Sequence, residues 1–358
     1  MQAKDSFWIT DTFYNFYDFL IIGNGFTGMQ TALQIKKKYP NKKVGIADKY
    51  FISQGASLRN AGFACFGSVS EILDDISSLN KTGVYDLVAL RFQGLNYLTE
   101  DFTPFNYHQG NAQEVFLESE TEQYTNCLNE LNKVNQSMKA ITGLETTFTK
   151  TKQTLHSSFK DLAISNELEG HLHTGMLYHQ MKSRVIASGI TWIGDFNVVN
   201  VDRQQNGFSV TSDTSKTIRS EQVISCLNAF SHSLINNPQL EPARGQIIVT
   251  KSLKNNPLSG IVHADKGYIY ARPLENRILI GGARNRDIKT ENTFEFDENK
   301  GQFNKTVKYH CKLHIGDIYF KPSDSEGDIL ALMIDSVEVK EGDTALPVTP
   351  DIKREISN

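Results

Sequence analysis

Near the amino terminus the hydrophobic pattern changes period twice. Tyr17 to Ile22 (YDFLII) is a short, almost continuous apolar run, as expected for a strand buried on both faces. Met29, Ala32 and Leu33 then recur at helical spacing on one face. Lys36, Lys37 and Lys38 close that segment where cations suit the helix dipole, and Tyr39–Pro40 stops it. Val44 to Ala47 is a second buried strand, ended by Asp48. Strand, helix and strand in this order predict a parallel βαβ unit.

Further along, residues 68–185 are expected to be mostly helical. Ser70–Ile76, Val84–Leu98 and stretches within Thr121–Ile141 and Leu177–Ile186 carry apolar residues at three- and four-residue steps. Thr191–Val201 and Gly207–Thr211 read as strands about a turn at Gln204–Gly207, and Val223–Leu227 as another buried strand. Gln246–Thr250, Tyr268–Tyr270 and Arg277–Ile280 read as antiparallel sheet. Residues 291–358 are polar and patchy, and their last helical stretch, Thr349–Glu355, is very short. The fold class that follows is α/β (α+β overall), a Rossmann-type parallel sheet with an antiparallel-sheet segment and an atypical C-terminal tail. The expected organisation is a discontinuous Rossmann-type domain at 1–75 and 145–235, a helical insertion at 76–144, an antiparallel segment at 236–290 and the tail at 291–358.

Composition narrows the function classes. A net charge of −4 leaves no global basic field for nucleic acid or anionic lipid. No apolar run is long enough to span a bilayer, and no secretory pattern opens the chain. Cys65, Cys127, Cys226 and Cys311 lie far apart with no C-x-x-C pair. That spacing argues against a disulfide framework and fits a reducing cytoplasm. No metal is expected either: His171 and His173 would share a strand face but sit in what reads as loop before helix, and His310 and His314 have no carboxylate or Cys at matching spacing.

The chemistry concentrates in two places. Gly23-Asn-Gly25-Phe-Thr-Gly28 is a G-x-G-x-x-G segment that follows a strand, opens a helix and precedes an acid, Asp48, at the end of the next strand. Gly23 permits the tight turn, Gly25 admits a pyrophosphate against the backbone, and Gly28 lets helix and strand pack closely. The helix N–H groups then face the phosphates, and Asp48 can accept from ribose hydroxyls. The second place is Gln54 to Phe63 (QGASLRNAGF), where small residues, an amide and an Arg fall in place of the next helix–strand step of a plain NAD domain.

These two segments together resemble the N-terminal part of the D-amino-acid oxidase / glycine oxidase / sarcosine oxidase superfamily of FAD-dependent oxidoreductases. Val223 to Phe230 (VISCLNAF), Glu241 to Gln246 (EPARGQ), Tyr268 to Pro273 (YIYARP) and Ile278 to Gly282 (ILIGG) are similar to later family segments in the same order. The resemblance covers about residues 17–290. One departure is Asn228-Ala229, which stands where the family usually has a central Gly. Another is the tail, which lacks the family's closing strand, Gly-rich turn and flavin-facing helix. The resemblance implies non-covalent FAD. Gly23, Gly25, Gly28 and Asp48 would bind its ADP half, with Ser57 near the pyrophosphate. Arg59, Asn60, Ala61 and Gly62 would line the ring-proximal part, and Asn228 and Ala229 would close over the adenosine or pyrophosphate side.

The implied reaction is oxidation of the C–N bond of a small amino acid or secondary amine, by hydride transfer to the flavin. An amino-acid carboxylate needs a cation, and Arg272 in the hairpin is the candidate, with Tyr268 and Tyr270 on one strand face to hold or wall off the substrate. The bland alternative pairs Arg272 with a surface acid and leaves the tyrosines to packing. Two further readings stay open at this point: a flavin dehydrogenase of a hydroxy acid or polyol phosphate, and a non-catalytic flavin-fold remnant with a replaced end.

Overall fold

A computed structural model of the chain describes residues 5–102, 106–153, 155, 157–235, 240–296 and 331–334, the last as backbone. The expected βαβ unit is present: strand Phe16–Ile22, helix Phe26–Lys38 and strand Val44–Ala47. The two strands are parallel neighbours, with Leu20 opposite Gly45. Thr217–Ser225 lies parallel on the other side of the first strand, and Thr191–Ile193 lies parallel beyond the second. Two antiparallel strands, Val198–Gln204 and Gly207–Ser212, extend this six-stranded sheet past Thr217–Ser225.

Both faces of the parallel sheet are covered, which explains its unalternating apolar strands. Ile21 and Ile46 pack toward Met29, Ala32 and Leu33 of the helix, and that cluster continues through Val88, Leu131 and Leu177 of three further helices, Lys81–Asp101, Thr121–Thr142 and Thr174–Ala187. Tyr17, Leu20 and Ile22 pack the opposite way, with Phe196, Val210 and Ile218.

A second, eight-stranded sheet is antiparallel apart from one parallel step. At its centre are Arg244–Val249, Arg277–Gly282, Ile269–Leu274 and Val262–Ala264. Alternation decides its two faces. Ile269, Ala271, Ile278 and Ile280 enter one core, with Val115 and Ala163. Ile247, Val249, Leu279 and Tyr270 enter another, with Ala61 and Phe63 of the ring-proximal loop. This second face therefore meets the cofactor segment directly.

The structure departs from the sequence expectation in four respects. Thr191–Val201 is two strands, broken where Asp195 takes a left-handed φ of +52° after Gly194. The strand expected at Val223–Leu227 is the end of a longer one, Thr217–Ser225. Within the stretch expected to be helical, Ala112–Glu114, Thr149–Lys152 and Leu162–Asn166 are strands of the eight-stranded sheet. They are short: Ala112–Glu114 pairs at long range with Val262–Ala264 and with Leu162–Asn166, which in turn pairs with Thr149–Lys152, so no local period marks them. Finally, Ala331–Ile334 pairs antiparallel with Arg244–Val249, so this much of the tail joins the sheet. The other features expected beyond 296, including Thr349–Glu355, His310, His314 and Cys311, lie outside the described residues.

Arg244, the Arg of the EPARGQ segment, is fully buried and pairs with the fully buried Glu291. Its Nε donates to Glu291 Oε2 at 2.8 Å and its Nη2 to Oε1 at 3.3 Å, while Gln246 Nε2 also donates to Oε1. Removing one partner strands a desolvated charge. Glu291→Ala is expected to cost about 3–5 kcal/mol of stability, read as a fall in the denaturation midpoint at unchanged slope. A change within about 0.5 kcal/mol would show the pair to be energetically idle.

Candidate cofactor and active site

The turn between the first strand and its helix is set by backbone contacts that exclude side chains. Gly23 has φ +113°, and a Cβ there would stand 2.5 Å from the Cys226 carbonyl oxygen. A Cβ on Gly28 would stand 1.9 Å from the Gly23 carbonyl oxygen. Gly25 differs: its Cβ would meet only Ser57, at 2.8 Å from Oγ. Gly23 and Gly28 are thus required by the fold itself, while the space above Gly25 is walled by one small, rotatable hydroxyl.

At the helix start, Gly25 offers no side-chain cap, and the Phe26 N–H donates to Ser57 Oγ at 2.9 Å. Asp48, half-buried, accepts from the Asn24 N–H at 2.9 Å and from the Tyr50 N–H at 2.8 Å, one per oxygen. Burial raises its pKa, and the two N–H donors oppose that shift. Beside it, Asn24 is buried, with Nδ2 donating to the Tyr50 carbonyl and Oδ1 lacking a partner among the described residues. A buried acceptor left unpaired next to a carboxylate fits a ligand that brings donors, as ribose hydroxyls do. Asn24 is the x of G-x-G, a position that spacing alone leaves unremarked.

The QGASLRNAGF segment forms a 3₁₀ turn at Ala56–Leu58 and then runs into the short strand Phe63–Ala64. Asn60 builds this loop. Its Nδ2 donates to the carbonyls of Ala56 and Ser57, and its Oδ1 accepts from the Gly62 N–H. Arg59 turns away to Gln54, donating to its backbone and side-chain oxygens, and lies over the Phe296 ring. Ala61 is buried, and Gly62 takes φ +73° against the Leu172 carbonyl. Asn228 has φ +51°, a left-handed conformation that Asn tolerates better than most residues, which is how it can stand in for Gly. Ala229 behind it is fully buried.

Arg272 ties the eight-stranded sheet to the Ala61–Gly62 loop and to Leu172. It is buried, its Nε donates to the Ala61 carbonyl, and its Nη1 donates to the Pro273 carbonyl at 3.1 Å. Nη2 reaches the Leu172 carbonyl at 3.5 Å, and Nη1 is 3.5 Å from His171 Nδ1. Burial lowers its pKa to about 10, so it stays charged at neutral pH. No carboxylate pairs with it among the described residues. His171 is pushed down to about 4, by burial first and then by Arg272 and His108, and is neutral. Tyr270 is half-buried on the Arg272 face, with its ring 5.1 Å from that of Phe63. Tyr268 precedes the strand instead of sharing it, and is 42% exposed.

The structure thus brings Gly23, Gly25, Gly28, Asp48 and Ser57 together at one helix start, and Ala61, Gly62, Tyr270 and Arg272 at the seam where the eight-stranded sheet meets the Ala56–Phe63 loop. Arg59 and Tyr268 face elsewhere. His171 and Phe63 join the seam without having been expected there.

In sequence, no curated protein matches the chain. Among solved structures, glycine oxidase from Geobacillus kaustophilus superposes with a TM-score of 0.64 at 15% identity, over 88% of this chain and 81% of that one. Iminodiacetate oxidase from Chelativorans sp. BNC1 gives 0.61 at 16% identity, over 88% and 82%. L-alpha-glycerophosphate oxidase from Mycoplasma pneumoniae, with FAD bound, gives 0.55 at 15% identity, over 74% and 71%. At these identities the likeness is one of fold. Residues 18–317 match the family model described as FAD dependent oxidoreductase, past the 290 at which the sequence resemblance fades. The chain therefore belongs to the FAD-dependent oxidoreductase family of D-amino-acid oxidase type.

Proposed function

We propose that the protein oxidises the carbon–nitrogen bond of a small amino acid or secondary amine that carries a carboxylate. The observation behind this reading is Arg272: a buried guanidinium, without a carboxylate partner among the described residues, at the seam where the substrate sheet meets the ring-proximal loop. A buried charge is costly, and an anionic substrate would offset it. Glycine and iminodiacetate, named in two of the similar structures, are both amino-carboxylates.

Bound FAD supplies the two-electron acceptor for the hydride that leaves the substrate carbon. The chain's residues do the rest. The Phe26 N–H and the open space at Gly25 receive the pyrophosphate, with Ser57 Oγ rotating aside. Asp48 and Asn24 Oδ1 accept from the ribose. Arg272 orients the substrate carboxylate, Tyr270 and Phe63 keep water off that side, and neutral His171 adds no competing charge. In this reading the cofactor is held non-covalently and the protein works in a reducing cytoplasm, a reading that free Cys65, Cys127 and Cys226 support.

Anaerobic reduction of the FAD-loaded protein, followed by flavin absorbance, tests the substrate class. Glycine, N-methylglycine, proline and D-alanine are expected to bleach it faster than glycerol phosphate or lactate. Preferential bleaching by glycerol phosphate or lactate would move the assignment to a hydroxy-acid or polyol-phosphate dehydrogenase.

Arg272→Gln is expected to raise KM for an amino acid by roughly 10- to 150-fold, the worth of a charged hydrogen bond of about 1.5–3 kcal/mol. The matching amine without the carboxylate should show an unchanged KM. Equal losses for both would make Arg272 a support of the loop only.

Gly25→Val is expected to abolish FAD binding with circular dichroism unchanged, whereas Gly28→Val, which meets backbone, should unfold the protein. Asp48→Ala should weaken FAD binding by roughly 1.5–3 kcal/mol, measured by titration. Acid precipitation of the loaded protein should leave all flavin in the supernatant. FAD binding to Gly25→Val as tight as to the wild type would defeat this placement of the pyrophosphate.

A further inference from the structure

We propose that Cys65, Glu169 and His263 bind a single borderline divalent cation, zinc in the first instance, with a water completing the site. The three residues come from separate elements. Cys65 follows strand Phe63–Ala64 and Glu169 precedes its antiparallel partner Gly170–His171. His263 is the middle residue of Val262–Ala264 in the other sheet. One ligand atom from each falls within 4.8 Å of the other two. Cys65 Sγ is 3.7 Å from His263 Nε2, and Glu169 Oε2 is 3.9 Å from the same nitrogen. The corresponding edges of a tetrahedral zinc site are about 3.6 Å and about 3.3 Å. The first edge already matches, and the second closes with a shift of roughly 0.6 Å.

The ligands are already aimed. Glu169 Oε1 accepts from the Phe66 and Gly67 N–H groups at 2.7 and 3.0 Å, which leaves Oε2 facing His263. The His263 ring is backed by Phe63, with centroids 5.4 Å apart. Such outer contacts are what fix ligands in a metal site. The charges also balance: a thiolate and a carboxylate, both desolvated, sum to zero with a divalent ion and a neutral imidazole. A sulfur, nitrogen and oxygen set favours zinc or cobalt over magnesium or calcium.

A second observation supplies the fourth position. Glu169 and His263 line a small cavity, with Ser68, Glu114 and Asn166, whose free volume of about 10 Å³ is room for one water. Asn166 is 4% exposed, and its Nδ2 has no hydrogen-bond partner among the described residues. A metal-bound water there finds a donor in Asn166 and an acceptor in Glu114. The cation's role is structural. It clamps the segment that follows the ring-proximal loop to the antiparallel sheet, one phenyl ring away from Tyr270.

The test uses the full chain, stripped with a chelator and titrated with cobalt(II) and then zinc. The expected result is one cobalt per chain, a thiolate-to-cobalt charge-transfer band that zinc displaces, and a melting temperature that rises with zinc. Cys65→Ala should lose the band, Cys226→Ala should keep it, and His263→Gln should weaken zinc binding by on the order of a hundredfold. Glu169→Gln retains acceptors for Phe66 and Gly67, so it should fold and yet bind zinc more weakly; it carries the test if Cys65→Ala does not fold. A band that survives Cys65→Ala, zinc affinity equal in wild type and Glu169→Gln, or a folded wild type that takes up no cobalt would overturn the proposal.

Discussion

The whole cofactor side of the molecule hangs on how closely three backbone segments approach at the end of the first strand. The Gly23 and Gly28 positions have no room for even one carbon beyond the backbone, one against Cys226 and the other against Gly23 itself. That closeness draws the helix onto the strand and leaves its first N–H groups facing outward. Asp48 is then held by the Asn24 N–H, so the acid at the end of the second strand belongs to the same rigid turn. Of the three, Gly25 alone escapes this packing, which is why it is the one proposed to face the pyrophosphate.

The second sheet matters through one face. Its strands alternate between an inner core and a surface that carries Tyr270 and Arg272 against Ala61 and Phe63. Arg272 is therefore both a joint and a charge. Its hydrogen bonds to Ala61 and Leu172 tie the ring-proximal loop to the sheet, and its charge is the feature behind the proposed carboxylate-bearing substrate.

Much of this was legible in the sequence, for local reasons. The βαβ unit showed itself because a change of hydrophobic period, a glycine spacing and a terminal acid fall within one short stretch. The hairpin was legible because its strands alternate. Less visible were roles that depend on direction. Asn60 looked like a free amide and instead spends both ends of its side chain on its own loop. Arg59 looked ring-proximal and turns to Gln54 and Phe296. Tyr268 and Tyr270 have strand spacing, but the strand begins at Ile269. The Cys65–His263 approach spans 198 positions and follows no motif, so a search for paired ligands along the chain passes over it.

The order of strands in the parallel sheet has a consequence for synthesis. The first strand finds its neighbour Val44–Ala47 early, yet its other edge waits for Thr217–Ser225, where Ser220 meets Tyr17 across 203 positions. Until that segment leaves the ribosome, an apolar strand stands with an open edge, the kind of surface on which nascent chains aggregate. The Cys226 carbonyl that bounds the phosphate turn arrives with the same segment. The turn that would take the cofactor is thus complete only late in the life of the chain, once residues 217–226 have joined the first strand.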